Sequence, residues 1–425
     1  MAHHLRRSGY SQLVDRLNRF PQGAPPSPLL NNILKILFSE KEANLVSLLP
    51  IKPFTAEKAA TIWKMSHGEA EKILQRLASR ALLVDIVLND TTEYVLPPPM
   101  AGFFEFSMMR IRSDIDQKAL SELFYQYLNE EEDFVRELFT AGETQLGRVF
   151  VHEPVLAADQ TIHVLDYERA SEVIARATSR GISLCYCRHK MAHKDRACSA
   201  PQNICMTFNT SAASLIRHGH ARQVGKTECM ELLNQAYEHN LVQFGENIRE
   251  GVNFICNCCG CCCEAMLAAQ RFAFLNPVHT TNFLPVVSEA CKGCGKCVSA
   301  CPVAAMSLIS ANTPHKPKKK KAQLTDELCL GCGVCVRQCS NGALSLRKRE
   351  QHVITPKDSI HRTVIMAIER GKLQDLLFDN KVLFSHRALA AVFKVIFALP
   401  PVKQLLANRQ IKSRYLELML KKFAF

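Results

Sequence analysis

Two stretches decide the reading of this chain: Cys291-Lys292-Gly293-Cys294-Gly295-Lys296-Cys297-Val298-Ser299-Ala300-Cys301-Pro302 and Cys329-Leu330-Gly331-Cys332-Gly333-Val334-Cys335-Val336-Arg337-Gln338-Cys339-Ser340. Both carry four cysteines separated by two, two and then three residues. Thiolate is the soft ligand that an iron–sulfur cluster takes. Spacing this tight wraps three thiolates around one cube of iron and sulfide, and the fourth cysteine opens a helix that points away from it. Gly293, Gly295, Gly331 and Gly333 suit a chain that must turn sharply round a cluster, and their amides can face its sulfurs. A zinc ribbon needs paired CxxC knuckles with four cysteines to a site, a different pattern from two matched runs of four.

This segment resembles the bacterial dicluster ferredoxin domain, in which the fourth cysteine of each run serves the other cluster. The resemblance assigns Cys291, Cys294, Cys297 and Cys339 to one [4Fe–4S] cluster. It assigns Cys329, Cys332, Cys335 and Cys301 to the second. Ser340 stands where the second run of that family has proline, which loosens the helix start and leaves the ligands intact. The spacer between the runs is long and holds Pro314, Pro317 and the lysines 316 and 318–321. It reads as a hairpin insertion whose basic face could steer an acidic redox partner.

Outside these runs, composition bounds the answer. The chain has 425 residues, which suits several domains, and hydrophobic and charged fractions of 47% and 22% are those of a folded globular protein. Nineteen cysteines, crowded between Cys185 and Cys339, are the departure. The N-terminus has basic residues but no apolar core before Pro21, so no signal peptide is read there. The expected location is the cytoplasm, where thiols stay reduced and metal binding explains cysteines better than disulfides do.

The expected fold class is α+β and multidomain. Residues 1–27 read as a flexible arm. Residues 28–100 read as a winged-helix-like domain: Thr55 and Ser66 cap successive helices, and Val84–Leu88 and Tyr94–Leu96 flank a polar turn. Residues 101–162 read as an acidic helical linker region, and residues 163–275 as a Cys-rich domain framed by helices over Asp166–Ala177 and Thr227–His239. The ferredoxin-like domain spans 286–350, and 351–425 is a basic helical C-terminal region. Residues 29–100 balance eight Lys/Arg against eight Asp/Glu. DNA is therefore not expected as a partner, because phosphate contacts need a positive face.

Ten cysteines of the middle domain are candidate ligands of a further site: Cys185, Cys187, Cys198, Cys205, Cys256, Cys258, Cys259, Cys261, Cys262 and Cys263. Six thiols in the eight residues 256–263 exceed anything packing requires. Cys185, Cys187, Cys198 and Cys205 lead as a set, with the later group as alternatives, and an iron–sulfur cluster stands ahead of zinc. His189 and His193 read better as a polar surface pair than as ligands, and Cys229 as a core residue. Cys258-Cys259-Gly260 is similar to the paired-cysteine domains of heterodisulfide reductases, although its flanking spacings depart from that pattern.

Taken together, the winged-helix-like start, Leu184-Cys185-Tyr186-Cys187-Arg188-His189, Phe254-Ile255-Cys256-Asn257-Cys258-Cys259-Gly260-Cys261-Cys262 and the paired runs look like a family of bacterial 4Fe–4S dicluster proteins common in anaerobes. The resemblance covers about residues 29–350. It implies cluster binding and electron transfer within an oxidoreductase system, and it supplies no substrate.

Other motifs fail. Gly225-Lys226-Thr227 lacks a glycine five residues upstream, Gly219 lying one residue too far, so it is no phosphate loop. No dinucleotide fingerprint, catalytic triad or HExxH is present, which argues against a self-contained enzyme. Residues 341–425 carry sixteen Lys/Arg against six Asp/Glu. Beside the twelve-residue apolar stretch Ala388–Leu399, this charge suits peripheral membrane contact or a partner groove, since twelve residues cannot span a bilayer. The leading function is electron transfer by an iron–sulfur protein with a redox partner protein. A reductase acting at the Cys-rich site and a redox-responsive regulator are the alternatives.

Overall fold

The computed structural model describes residues 8–140, 142–156, 166–272, 278–311, 319–350 and 355–377. They divide into two units. The first runs to Thr144, takes in Arg217–His220 and resumes at Lys357; the second holds Gln145–Ile216 and Ala221–Pro356.

In the first unit, short polar side chains set the helix starts. Ser8 caps α1 (Gly9–Leu17), and Ser27 with Pro28 at the first helical position opens α2 (Pro28–Leu37). The flexible arm expected over 1–27 is corrected for residues 8–27. Leu13, Val14 and Leu17 sit on one face of α1 and are buried, so the segment contributes to the core. Ser39 and Glu42 form a capping box for α3 (Glu40–Ser47), and Ser66 and Glu69 form another for α5 (His67–Ser79). Between them lie β1 (Phe54–Thr55) and α4 (Ala56–Trp63). The strands β2 (Val84–Leu88) and β3 (Thr91–Val95) follow, giving a sheet in the order β1-β3-β2. Asn89 and Asp90 make the hairpin turn at φ 45° and 64°, the left-handed values of a two-residue turn.

Residues 101–140 are core and not a solvated linker. Phe103, Phe104, Phe124, Tyr127 and Phe134 are at most 1% exposed. Ring centroids of Phe104 and Phe124 lie 4.9 Å apart, and those of Tyr127 and Phe134 5.0 Å apart. The acidic run Glu130–Asp133 dominates the sequence signal but occupies only the boundary between two helices. A C-terminal helix, Ser359–Glu369, joins this unit by packing Val364 and Ala367 with Ile51. The stretch Ala388–Leu399 lies outside the described residues. Among the described residues no helix is long and apolar enough to cross a membrane.

The second unit is built on a six-stranded antiparallel sheet: β4 (Gly147–Val149), β5 (Arg180–Leu184), β6 (Asn203–Phe208), β7 (Arg222–Gln223), β8 (Val242–Glu246) and β9 (Phe254–Cys258), in the order β4-β8-β9-β6-β5-β7. Helices Ala170–Arg176 and Lys226–Glu238 cover it, burying Ile174, Leu233 and Tyr237 with Ile182, Met206, Phe208 and Ile255. These are the two framing helices expected from the sequence. The sheet between them was not anticipated, because its strands are short and broken by cysteine and asparagine. Beyond it, β10 (Phe283–Val287) pairs with β13 (Leu344–Lys348), and β11 (Met306–Ser310) with β12 (Lys320–Leu324). Backbone bonds from His152 N to Cys332 O (2.8 Å) and from Thr281 N to Leu330 O (2.9 Å) stitch this part to the rest of the unit.

Buried Glu42 tests the first unit's electrostatics. It closes the α3 cap and pairs with Arg80 at 3.0 Å and Arg76 at 3.2 Å. Burial alone would raise its carboxyl, but the Ser39 amide and the Arg80 guanidinium outweigh it and hold the group below its ordinary value of 4.5. A lowered native value stabilises the fold above about 4.5, and that contribution is lost as pH falls through the native value. Glu42→Gln keeps the cap and removes the charge. Its loss of thermal stability relative to the parent chain should therefore be largest near pH 7 and shrink toward pH 3, and an equal loss at both would exclude this account.

Candidate metal centres

The matched cysteine runs fold into matched structures. Each run turns through a left-handed glycine, Gly295 at φ 81° and Gly333 at φ 86°, into a short helix, Lys296–Ala300 or Val334–Arg337. Two hollows result. One, of about 350 Å³ and partly open to solvent, is lined by Cys291, Cys294, Cys297 and Cys339. The other, likewise partly open to solvent, is lined by Cys301, Cys329, Cys332 and Cys335 together with Pro302, Val303, Met306 and Leu330. The last cysteine of each run has crossed to the hollow of the other run.

Backbone N–H groups donate to these sulfurs: Ala322 to Cys291 at 3.3 Å, Ala305 to Cys301 at 3.2 Å and Gly331 to Cys329 at 3.3 Å. Burial pushes the Cys329 thiol up to about 11 and raises Cys297, Cys332 and Cys335 as well. Such thiols keep their protons in an empty site. A bound metal displaces those protons and satisfies the donors aimed at the sulfurs, so the residues present fit a metal–sulfur group.

The ten cysteines of the middle region divide into two sets. Cys198, Cys259, Cys261 and Cys262 form a compact one, with all four sulfurs within 4.8 Å of one another. Cys198 and Cys259 are 3.6 Å apart, and Cys261 and Cys262 3.7 Å. A tetrahedral ion with metal–sulfur bonds of about 2.3 Å sets its sulfurs about 3.8 Å apart. The compact set therefore has the size of a single-ion site. A hydrogen bond from Cys262 pulls Cys259 down to about 4 against its burial, and buried Arg188 adds to the effect.

The other six are Cys185, Cys187, Cys205, Cys256, Cys258 and Cys263. Strand geometry places most of them. Period-two alternation sets Cys256 and Cys258 on one face of β9 and turns Asn257 to the other. The β6–β9 register brings Cys205 beside Cys256, with 3.9 Å between sulfurs. Cys185 ends β5 and Cys187 begins the helix Tyr186–Ala192, while Cys263 caps the helix Glu264–Arg271 and lies 3.1 Å from Cys258. Hydrogen bonds from flanking thiols hold Cys256 and Cys263 well below the ordinary thiol range; the same bonds raise Cys205 and Cys258, and bonds to Cys185 and then Cys263 raise Cys187. Cys185, Cys187, Cys198 and Cys205 are thus not one set: Cys198, in the loop before β6, joins the turn after β9. Alternation of cysteines 256 and 258 was the available signal for a strand. The grouping itself depends on long-range register that one sequence does not contain.

Arg188 lies between the two sets. It is fully buried, and its guanidinium donates twice to Asn257 O at 3.2 Å. Burial would lower its pKa, but the charges of Cys185, Cys259 and Cys258 raise it overall. Lys190 is also fully buried and is paired with Glu264. His189 and His193 stack on each other with centroids 4.9 Å apart, outside the compact set. Cys229 is core, 0% exposed and 3.9 Å from Met206 Sδ.

The loop that carries the compact set meets the lining of one hollow. Gly260 packs against Pro302, where an added Cβ would meet Pro302 O at 2.5 Å and its Cα at 2.9 Å. Gln270 Nε2 donates to Gly260 O at 2.8 Å and to Pro302 O at 2.6 Å, clamping the two loops together.

Residues 290–358 match the family model described as a 4Fe-4S dicluster domain. Neither the curated proteins nor the solved structures gave a match.

Gly331 has φ +72°, and a Cβ there would collide with Phe283 O and Thr281 Oγ1. Gly331→Ala should displace the loop that carries Cys329 and Cys332. We expect it to remove about half the iron and sulfide of this domain while the Gly68→Ala change, at a position with open space, leaves them unchanged.

Proposed function

We propose that this chain is an electron-transfer iron–sulfur protein or the electron-input subunit of an oxidoreductase system. The crossed pairing of two matched cysteine runs around two hollows carries the reading. Cys291, Cys294, Cys297 and Cys339 hold one [4Fe–4S] cluster, and Cys301, Cys329, Cys332 and Cys335 hold the other. When bound, such clusters accept and return single electrons.

The residues of the chain set the conditions for that exchange. Pro302, Val303, Met306 and Leu330 give an apolar lining to the hollow of Cys301, Cys329, Cys332 and Cys335. The amides of Ala305, Gly331 and Ala322 donate to thiolate sulfurs and so favour the more negative, reduced state, while apolar burial opposes it. At the hollow of Cys291, Cys294, Cys297 and Cys339, Cys294 is exposed and is flanked by Lys292 and Lys296. This rim suits entry of electrons from a redox partner with an acidic surface.

A further metal centre in the six-stranded unit extends the reading. An iron–sulfur cluster led the sequence-based expectation there, but the short sulfur distances at Cys198, Cys259, Cys261 and Cys262 support one tetrahedral ion, zinc or iron, at that set. In the first unit, the order α3-β1-α4-α5-β2-β3 with β1-β3-β2 pairing supports a winged helix. Its balanced charge and the Glu69 cap at the start of α5 favour protein docking over DNA. The proposed location is the cytoplasm, with the basic C-terminal region available to a membrane surface or partner.

Anaerobically purified protein should yield about eight iron and eight sulfide from the paired runs. Cys335→Ser should remove about half of that and abolish the magnetic interaction between the two reduced clusters in EPR. Stoichiometric zinc with no sulfide would end the proposal.

A further inference from the structure

Eighteen of the nineteen cysteines fall into groups: eight around the crossed hollows, four in the compact set, and six that neither group uses. The six share one region of the second unit and come from four separate elements: the start of the helix Tyr186–Ala192, strand β6, strand β9 and the start of the helix Glu264–Arg271. They are linked neighbour to neighbour, with 3.9 Å between Cys205 and Cys256 and 3.1 Å between Cys258 and Cys263. No three of them gather within 4.8 Å in the way the compact set does. They are therefore too widely spread for one ion and suit a group with several metal atoms at its corners.

Their surroundings point to bound negative charge. Arg188 is 0% exposed, and among the described residues no carboxylate pairs with it. Its Nε is buried with no hydrogen-bond partner. A buried guanidinium is costly unless an anion faces it. Its neighbours in position to supply that anion are sulfurs of both sets. Ionised together without metal, six crowded thiolates would repel one another strongly. Left as free thiols, they would be open to oxidation.

We propose that Cys185, Cys187, Cys205, Cys256, Cys258 and Cys263 form a separate iron–sulfur centre that takes a cluster with more thiolate bonds, and more sulfide, than the four of a single cube. Arg188 is a positioning residue: it carries the counter-charge between this centre and the compact set. The proposal goes beyond the ferredoxin-type reading and stands without it, since none of its residues belongs to the paired runs.

Iron, acid-labile sulfide and zinc analysis of the full chain, purified anaerobically, tests it. We expect sulfide to exceed the about eight of the paired runs by more than four. Cys256→Ser should lose that excess with its iron, while the EPR signals of the paired clusters persist as an internal measure that the protein has folded. Cys261→Ser should lose one metal ion and no sulfide. Sulfide of about eight to twelve in the parent chain would overturn the proposal whatever the variants do. So would an excess that survives Cys256→Ser and vanishes with Cys261→Ser, because the cluster would then belong to the compact set. Loss of the paired-run EPR signals in the parent chain, with the excess sulfide retained, would sink the ferredoxin-type reading and leave this one standing. Arg188→Lys, which keeps the charge and loses the planar fork, should retain the excess sulfide but shift the reduction potential of its signal; an unshifted potential would remove Arg188 from the proposal.

Discussion

A buried sulfur must surrender its proton to hold metal, and most of the second unit is arranged around that constraint. One apolar thiol packs at little cost, as Cys229 does against Met206. Crowded thiols behave differently, because each ionised sulfur makes the next harder to ionise. The alternating directions along Cys187, Cys263, Cys258, Cys256 and Cys205 record this competition for protons. Backbone amides, a buried guanidinium and metal itself are the available remedies, and the first two are in place. The sheet supplies the rigidity. Cys205, Cys256 and Cys258 sit on adjacent hydrogen-bonded strands, so their sulfurs cannot drift apart to relieve the strain.

The parts legible in the sequence were those whose information is local. A cysteine run with fixed spacing names its own chemistry, and the left-handed Gly295 and Gly333 lie where that spacing demands a turn. Thr55 and Ser66 announced their helices in the same local way. Other features are set by pairings between distant residues. Cys198 lies only seven residues from Cys205, yet the two belong to different sets, because β6 carries Cys205 into the sheet and Cys198 stays in the preceding loop. The aromatic cluster around Phe104 was hidden by the acidic residues 130–133, which mark a helix junction and not a solvated spacer. Leu13 and Leu17 were hidden by the polar and proline-rich residues around them.

The first unit offers no metal-binding group among its described residues, in keeping with cysteine-free sequence before Cys185. Its capped helices, small three-stranded sheet and phenylalanine-rich core form an independent hydrophobic body.

The meeting of Gly260 with Pro302 has a consequence for how closely the two cysteine regions approach. From the sulfur of Cys301 the covalent path runs one residue to Pro302. A single van der Waals step then reaches Gly260, whose neighbours on both sides, Cys259 and Cys261, belong to the compact set. The side-chain amide of Gln270 pins both main-chain carbonyls and so holds the gap. The spacing of the two loops was settled when position 260 became a residue without a side chain to hold them apart.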